Sequence, residues 1–331
     1  MSAVSVLPGI ADIRAAAARL AGLAIETPLL ESPVLNERFG ARLLFKPEVL
    51  QRTGSFKFRG AYNKISTLAP EERSRGVVAF SSGNHAQGVA ASAAMFGIGA
   101  VILMPTDAPA MKIANVRRMG AEVLLHDRGD DREALALPFI EKGMVLVPPF
   151  DDPAIIAGQG TIGLELVAQA QRLGAALDVV VAPCGGGGLI GGISLAVKDG
   201  SPQTAVWAAE PEHFDDTRRS LAAGSRVANE PGHRSICDAL LTPIPGRITF
   251  AINRTTLSGA VAVSQKAVAA AMRDAMAHLK LVVEPGGATA FAALSSGEID
   301  IKGKTVAVVL SGGNVDFDLY ADIMASRPPY D

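Results

Sequence analysis

Short runs of valine, isoleucine and alanine alternate along this chain with alanine-rich stretches of helical length, and this alternation constrains the fold more than any other feature. Strands are predicted over 42–46, 76–80, 100–104, 122–125, 179–182, 205–209 and 305–310. Helices are predicted over 12–23, 57–68, 85–96, 108–119 and from 185 onward. Nearly continuous apolar strands are typical of parallel sheets buried on both faces. The pattern therefore predicts an α/β protein with mostly parallel, three-layer α/β/α architecture.

The stretch 76–150 contains three or four complete strand–helix units. We predict that it is a small domain inserted into a larger one formed by 1–75 and 151–331. Hydrophobic residues make up 49% of the chain and charged residues 19%, which is enough for a large core.

The charge pattern and the cysteine count exclude several classes of protein. Net charge is -2 and there is no basic block, which argues against nucleic-acid or membrane-surface partners. No apolar run is long enough to cross a bilayer, and no secretory signal is visible. Two cysteines are too few for a disulfide scaffold, so a reducing, cytoplasmic setting is expected.

Lys57 lies between two phenylalanines in the run Thr-Gly-Ser-Phe-Lys-Phe-Arg-Gly at 53–60. Desolvation disfavours an ammonium ion and lowers its pKa. A lysine with a lowered pKa is partly an amine at neutral pH and can form a Schiff base with an aldehyde. Most lysines instead keep the charged head in water, so the hypothesis needs support from other parts of the chain.

Ser-Ser-Gly-Asn-His at 81–85 follows a predicted strand and opens a predicted helix. The N-terminus of a helix presents free N–H groups and the positive end of its dipole, which suits a substrate carboxylate. The run is equally compatible with ordinary helix capping.

The glycine-rich run at 185–192 also lies between a strand and a helix, and its backbone N–H groups could surround a phosphate. Gly186, Gly188 and Gly191 match the dinucleotide fingerprint, and Glu210 ends the next strand at the spacing expected of a ribose-binding acid. This segment alone therefore permits an NAD-dependent oxidoreductase.

Ser-Gly-Gly-Asn at 311–314 ends the last predicted strand, and Ile-Ala-Gly-Gln-Gly-Thr occupies 156–161. Taken together and in this order, the runs resemble the fold-type II pyridoxal phosphate (PLP) enzymes, the tryptophan synthase β-like family. Within that family they are similar to the branch of serine/threonine dehydratases, serine racemases and hydroxyaspartate dehydratases. The resemblance covers about residues 27–316 and implies two domains with PLP in the cleft between them.

The resemblance implies a role for each matching residue. Lys57 would hold PLP as a Schiff base and take the α-proton of the substrate. Phe56 would pack on the pyridine ring, Asn84 would hydrogen-bond its 3-oxygen, and Ser311 would face its nitrogen. The phosphate would be held by Gly185, Gly186, Gly187 and Gly188. A serine at the ring nitrogen limits the spread of carbanion charge into the ring, which favours loss of a β-hydroxyl over transamination.

Substrate contacts are expected from Ser81, Ser82, Asn84, His85 and Arg132. In the resemblance, Ser82 lies opposite the lysine and can carry a second proton, which makes racemisation possible. Arg132 aligns with an arginine of the racemase branch that can meet a second substrate carboxylate, and Arg128 or Lys112 are possible substitutes. Arginines in charged stretches are more often simply solvated.

Glu210, the backbone carbonyl of Phe214 and Asp216 resemble the divalent-cation site of the racemase branch. Oxygen ligands completed by water suit Mg²⁺, Ca²⁺ or Mn²⁺. The alternative interpretation is a solvated acidic loop.

The chain departs from the resemblance at two positions. Ala239 replaces a glycine that in many relatives lies against the ring, so the substrate range of relatives does not transfer directly. Gly286 follows Glu284-Pro285 where serine or threonine is commoner.

The leading prediction is a PLP-dependent ammonia-lyase that converts a β-hydroxy-α-amino acid into a 2-oxo acid and ammonia. L-Threonine, L-serine and 3-hydroxyaspartate are the candidate substrates, and a homodimer is expected from the resemblance. The alternatives are a serine racemase, a β-replacement enzyme of the same fold, an NAD-dependent oxidoreductase and a cofactor-free binding protein.

Overall fold

The computed structural model describes residues 6–81, 83–108, 110–127 and 129–325. Its strands are β1 (Arg42–Pro47), β2 (Val77–Phe80), β3 (Ala100–Pro105), β4 (Glu122–His126), β5 (Val145–Leu146), β6 (Val179–Pro183), β7 (Ala205–Pro211), β8 (Gly259–Val263) and β9 (Thr305–Leu310). Its helices are α1 (Ile10–Leu20), α2 (Pro33–Phe39), α3 (Lys57–Ser66), α4 (Pro70–Ser74), α5 (Asn84–Phe96), α6 (Ala110–Arg118), α7 (Arg132–Glu141), α8 (Pro153–Arg172), α9 (Gly188–Gly200), α10 (Asp216–Ala223), α11 (Arg247–Thr256), α12 (Gln265–Asp274), α13 (Pro285–Ala293) and α14 (Phe317–Met324). Short 3-10 turns cover Glu48–Leu50, Arg52–Gly54 and Asp238–Leu240, and a π-helical turn covers Ala275–Leu279.

The strands form two parallel sheets. One has five strands in the order β1-β9-β6-β7-β8. The other has four strands in the order β4-β3-β2-β5, all drawn from 77–146. The predicted α/β class with parallel sheets is confirmed. The domain boundaries at 75/76 and 150/151 stay a prediction.

Helices cover both faces of the five-stranded sheet. α13 packs on β6, β7 and β9, while α9 packs on β6 and β7. The side chains of β6 accordingly alternate between two separate apolar clusters, with Val181 in one and Val180 in the other. Burial on both faces explains why these strands read as continuous apolar runs.

The long helix α8 was not predicted, because its run Ile156–Thr161 contains two glycines that disfavour an isolated helix. Its start is well determined: Asp152 accepts hydrogen bonds from Ala154 N at 2.8 Å and Ile155 N at 3.1 Å. The glycines allow close packing, since a Cβ on Gly160 would lie 2.8 Å from the carbonyl oxygen of Gly192 in α9. Tertiary packing outweighs helix propensity here.

The predicted start of the last helix was wrong by three residues. A helix was expected from 185 onward, but α9 begins at Gly188, and Gly187 has a φ of +91°. The preceding glycines form a loop at the end of β6 instead of a first helical turn. No helix in the described part of the chain is both long and apolar enough to span a membrane.

Candidate active site

A cavity of about 200 Å³ lies where the carboxyl end of β2 in one sheet faces the carboxyl ends of β6 and β9 in the other. Its lining includes these residues predicted from sequence: Phe56, Lys57, Ser81, Asn84, His85, Arg132, Gly185, Gly186, Gly187, Gly188 and Ser311. Carboxyl ends of parallel strands are the usual place for ligands in α/β proteins. The fold therefore brings these separate sequence runs to one site.

Lys57 is the first residue of α3, and its side chain is held toward the cavity. Its Nζ donates a hydrogen bond of 2.7 Å to the carbonyl oxygen of Pro149 and lies 5.2 Å from the centre of the Phe56 ring. Burial lowers the pKa of Lys57 to about 8, although the Glu284 carboxylate acts in the opposite direction. A substantial fraction of this lysine is therefore a free amine just above neutral pH.

His85 follows Asn84 at the start of α5 and is buried. Its Nε2 lies 2.8 Å from the carbonyl oxygen of Val147, which can only accept, so Nε2 carries the proton. Burial, with a smaller contribution from Lys57, lowers the pKa of His85 to about 3. The ring is therefore neutral, and Nδ1, which has no partner among the described residues, is a free acceptor at the cavity.

Asn84 is connected to a buried group of charges. Its Nδ2 donates to Glu284 Oε1, and its Oδ1 accepts a 2.8 Å hydrogen bond from Asn314. Lys112 Nζ lies 2.9 Å from Asp238 Oδ2 and 3.9 Å from Glu284 Oε2. Burial raises the pKa of Glu284 to about 7, and Lys112 opposes this shift.

The glycine loop leaves its backbone open to the cavity. Side chains at these positions would collide with neighbours: a Cβ on Gly186 with the ring of Phe150, and a Cβ on Gly188 with Gln159. Gly188 begins α9, so free N–H groups and the positive end of the helix dipole face the same space. This narrow cradle fits a phosphate group.

Gln159 is a second indication that the cavity binds a polar ligand. It lines the cavity and is 1% exposed, and neither its amide oxygen nor its amide nitrogen has a hydrogen-bond partner among the described residues. A buried unpaired amide is costly, so a polar ligand in the cavity would relieve it. Together with Lys57 and the cradle, this fits PLP.

Ser311 and Ser81 lie at the ends of β9 and β2 and line the cavity. The hydroxyl of Ser81 accepts a hydrogen bond of 3.1 Å from Gly83 N, as a turn residue would. Ser82, the predicted second proton carrier, lies outside the described residues, as does Arg128.

Arg132 begins α7 and faces the cavity, with its guanidinium 4.9 Å from the centre of the Phe80 ring. The contact is typical of a cation–π interaction, which holds an arginine without consuming its hydrogen-bond donors. Lys112, the possible substitute, is already paired with Asp238.

The predicted cation ligands lie together at the start of α10. Glu210 and Asp216 are both fully buried. Burial, together with the neighbouring Asp216 carboxylate, raises the pKa of Glu210 well above its ordinary value, and burial raises the pKa of Asp216 to about 7. Asp216 Oδ2 has no partner among the described residues.

Two carboxylates and the carbonyl of Phe214 are oxygen donors of the kind that a hard divalent cation prefers. Both oxygens of Glu210 already accept hydrogen bonds from backbone N–H groups, at 2.9 Å from Thr217 and 2.8 Å from Arg218, which leaves Asp216 Oδ2 as the carboxylate oxygen of this set without a partner among the described residues. Among the described residues, no cluster of three or more His, Cys, Asp or Glu side chains could hold a metal. Backbone and water oxygens would have to complete this shell.

Several residues without an assigned role in the sequence analysis line the cavity, among them Phe150, Gln159, Asp238 and Glu284, and Asn314 is hydrogen-bonded to Asn84 beside it. Glu284 precedes a proline that begins α13, a position that reads as ordinary helix capping. Only the tertiary structure shows that its carboxylate is turned inward.

Comparison with known proteins agrees with this geometry. The family described as "Pyridoxal-phosphate dependent enzyme" matches residues 20–312. An L-threo-3-hydroxyaspartate ammonia-lyase of Saccharomyces cerevisiae is 40% identical over 97% of this chain and 98% of its own length. An L-threonine ammonia-lyase of Thermotoga maritima is 44% identical over 93% of this chain and 76% of its own. The structure of maize serine racemase superposes with a TM-score of 0.90 at 36% identity, covering 97% of this chain and 98% of that one.

The chain belongs to the family of pyridoxal-phosphate dependent enzymes. The predicted resemblance to the fold-type II branch of threonine dehydratases, serine racemases and hydroxyaspartate ammonia-lyases is confirmed. The glycine-rich run therefore belongs to a PLP enzyme, and the dinucleotide fingerprint in it is coincidental.

Proposed function

We propose that this enzyme catalyses PLP-dependent β-elimination of a β-hydroxy-α-amino acid, giving a 2-oxo acid and ammonia. When bound, PLP supplies an electron sink for the negative charge that develops at the α-carbon. The observation that carries the proposal is Lys57, a buried lysine with a lowered pKa that lines the same cavity as the glycine cradle. The names of the relatives support it.

The residues of the chain have distinct tasks in this proposal. Lys57 Nζ would hold the cofactor and accept the α-proton. Neutral His85 and the N-terminus of α5 would bind the amino acid, with Nδ1 able to accept a hydrogen bond from a substrate donor. Ser311 would offer a neutral hydroxyl to the ring nitrogen. The glycines from Gly185 to Gly188 would hold the phosphate.

Substrate choice is proposed to depend on Arg132. Its guanidinium has no hydrogen-bond partner among the described residues and lines the cavity, so it could grip a side-chain carboxylate with paired hydrogen bonds. In that case 3-hydroxyaspartate would be the preferred substrate over L-threonine and L-serine. Ser82 supports serine racemisation as a second activity, since racemisation needs a proton carrier on each face.

The test is to measure 2-oxo acid and ammonia from the three amino acids with wild type, Lys57→Ala, Arg132→Ala and, as a surface control, Arg117→Ala. Lys57→Ala should lose all turnover. Arg132→Ala should cost about 2–5 kcal/mol in kcat/KM for 3-hydroxyaspartate only. An equal loss on all three substrates would show that Arg132 does not select among them, and a wild type that neither binds PLP nor forms oxo acid would refute the proposal.

The remaining proposals concern the assembly and the cation. We propose a divalent cation at Glu210, Phe214 and Asp216, where it would stabilise the loop before α10. We also propose a cytoplasmic homodimer. Both cysteines are free and buried, which suits a reducing compartment.

A further inference from the structure

Asn314 and Asn84 form a chain of hydrogen bonds that runs from the carbonyl oxygen of Thr53 to the carboxylate of Glu284. Asn314, the last residue of the Ser-Gly-Gly-Asn run, donates from Nδ2 to the carbonyl oxygen of Thr53 at 2.8 Å and to Asn84 Oδ1 at 2.8 Å. Asn84 Nδ2 donates in turn to Glu284 Oε1. Segments that lie 200 or more residues apart in sequence are thereby joined beside the cavity.

The direction of every hydrogen bond in this chain follows from its first member. A backbone carbonyl can only accept, so the amide of Asn314 must turn its NH₂ toward Thr53. The second N–H of that NH₂ then points to Asn84, whose oxygen must accept it. The NH₂ of Asn84 is thus turned toward Glu284, and its other N–H has no acceptor among the described residues.

The backbone conformation next to these hydrogen bonds leaves space for the two asparagine side chains. Thr53 has a φ of +63°, a conformation that side-chain-bearing residues rarely adopt, and Gly54 follows at +73°. A Cβ on Gly54 would lie 2.6 Å from Asn314 Oδ1. A Cβ on Gly312 would collide with the Glu284 carboxylate and lie 3.2 Å from Asn84 Nδ2. Gly54 and Gly312 therefore leave the space that the side-chain contacts of Asn314 and Asn84 need.

We propose that Asn314 is a positioning residue that, fixed by the Thr53 carbonyl, orients the Asn84 amide so that an N–H and not the C=O faces the cofactor. This inference rests on the proposed function, since the group that receives the N–H is the anionic oxygen of the bound pyridine ring. In the reversed orientation the oxygen of Asn84 would lie against Glu284 Oε1, and its NH₂ would lie against the NH₂ of Asn314, so both neighbours oppose the reversal. Without the donor of Asn314, Glu284 alone favours the orientation that turns an N–H toward the cofactor.

The decisive variant is Asn314→Asp, which keeps the size of the side chain and removes both donors. Asn63→Asp is the matched control. Asn63 is fully buried, donates to Ala154 O at 2.7 Å, accepts from Arg19 at 2.8 Å and does not line the cavity. Asn314→Ala is a second variant that removes the donors without adding a charge, in case the aspartate prevents folding.

Two measurements are needed, one of them on the protein without cofactor. The dissociation constant for PLP is measured by equilibrium dialysis, and hydrogen exchange of the Asn84 side-chain NH₂ is followed in the apoprotein by NMR after selective ¹⁵N-asparagine labelling. Both Asn314 variants should bind PLP about tenfold more weakly or worse, because a hydrogen bond to a charged oxygen is lost. Their Asn84 amides should exchange faster, while Asn63→Asp should lower only the thermal midpoint.

Wild-type PLP affinity and unchanged Asn84 exchange in the Asn314 variants would overturn the positioning role and leave the proposed function intact. Equal weakening of PLP binding by Asn63→Asp would also overturn it, since a general loss of stability would then explain the effect. If wild type itself does not bind PLP, the proposed function is refuted and the role toward the cofactor is refuted with it.

Discussion

In the proposed function, the protonation state of Lys57 controls loading of the cofactor. Its pKa of about 8 is below the ordinary 10.5, so the amine is the major form above pH 8 and the ammonium ion below it. Only the amine can react with an aldehyde.

The rate at which the apoprotein captures PLP should therefore rise about tenfold per pH unit up to pH 8 and then level off. Stopped-flow absorbance of the apoprotein mixed with PLP measures it. A rate that keeps rising to pH 10 would show that Lys57 has an ordinary pKa.

Ala239 and Gly286, the two departures from the family pattern, are in contact. A Cβ on Gly286 would lie 3.3 Å from the Cβ of Ala239 and 3.3 Å from Leu240 Cγ. The methyl group of Ala239 thus occupies space that a side chain at 286 would need. The two departures are therefore best explained together: the methyl group at 239 fills volume that the absence of a side chain at 286 leaves beside the cavity.

Gly286→Ser should destabilise the wild type but be tolerated better together with Ala239→Gly. A double-mutant cycle measured by urea unfolding of the apoprotein should give a coupling of about 0.5–3 kcal/mol, as is typical of residues in contact. Strictly additive effects would mean that the two positions are independent.

At the scale of elements, a buried ionic network fixes α3, and with it Lys57, to α8 and to the turn after β1. Arg59 in α3 is 1% exposed and pairs with Glu48 at 2.8 Å and with Glu165 at 2.5 Å. Lys46 in β1 also pairs with Glu165, at 2.6 Å. Two cations and two carboxylates balance one another, so removal of one member leaves an unpaired buried charge.

Arg59→Met should therefore lower the free energy of unfolding by about 3–5 kcal/mol. Arg14→Ala, which breaks an exposed ion pair with Asp199, should cost about 1 kcal/mol or less. Denaturant unfolding of the two variants at neutral pH makes the comparison. Similar small losses in both would show that the network is not important for stability.

The loop from β7 to α10 should respond to divalent cations through Asp216. Saturating Mg²⁺ or Ca²⁺ binds only the folded state and should stabilise it by about 2.7 kcal/mol at 100 times the dissociation constant. The cation-induced rise in thermal midpoint should disappear in Asp216→Asn and persist in Glu212→Ala, whose side chain is exposed in the same loop. If EDTA changes the thermal midpoints of the two variants equally, the proposed cation site is refuted.

At the scale of the whole molecule, three large apolar side chains are exposed in or near the elements α12 and α14. Phe317 is 80% exposed, Val282 50% and Met276 49%, and the two helices are in contact through Arg273 and the carbonyl of Ile323. Large exposed apolar patches mark interaction surfaces. We place the proposed homodimer interface here.

Phe317→Asp should shift the protein from dimer to monomer at micromolar concentration, as measured by size-exclusion chromatography with light scattering. Leu137→Asp, a change of similarly exposed apolar surface on α7, should have no effect. A wild type that is monomeric, or a variant that stays dimeric, would contradict this location.

The site could be predicted from sequence wherever a residue lies next to a recognisable turn. Lys57, Asn84, the glycines 185–188 and Ser311 all follow strands or open helices, and strand ends converge in parallel sheets. Glu284 and Asn314 could not be given roles in the same way, because both bond Asn84, which is 200 or more residues away in sequence. Gln159 could not either, because only the folded structure shows that its buried amide has no partner among the described residues.

The sequence by itself determined the α/β class, the parallel strands and the family, and it singled out Lys57 as the candidate Schiff-base lysine, since these depend on local composition and on the order of short motifs. Only the tertiary structure decided the length of α8, the lowered pKa of Lys57 and the orientation of the Asn84 amide. Close helix packing, desolvation and hydrogen-bond direction arise between segments that are distant in sequence, so no local pattern contains them.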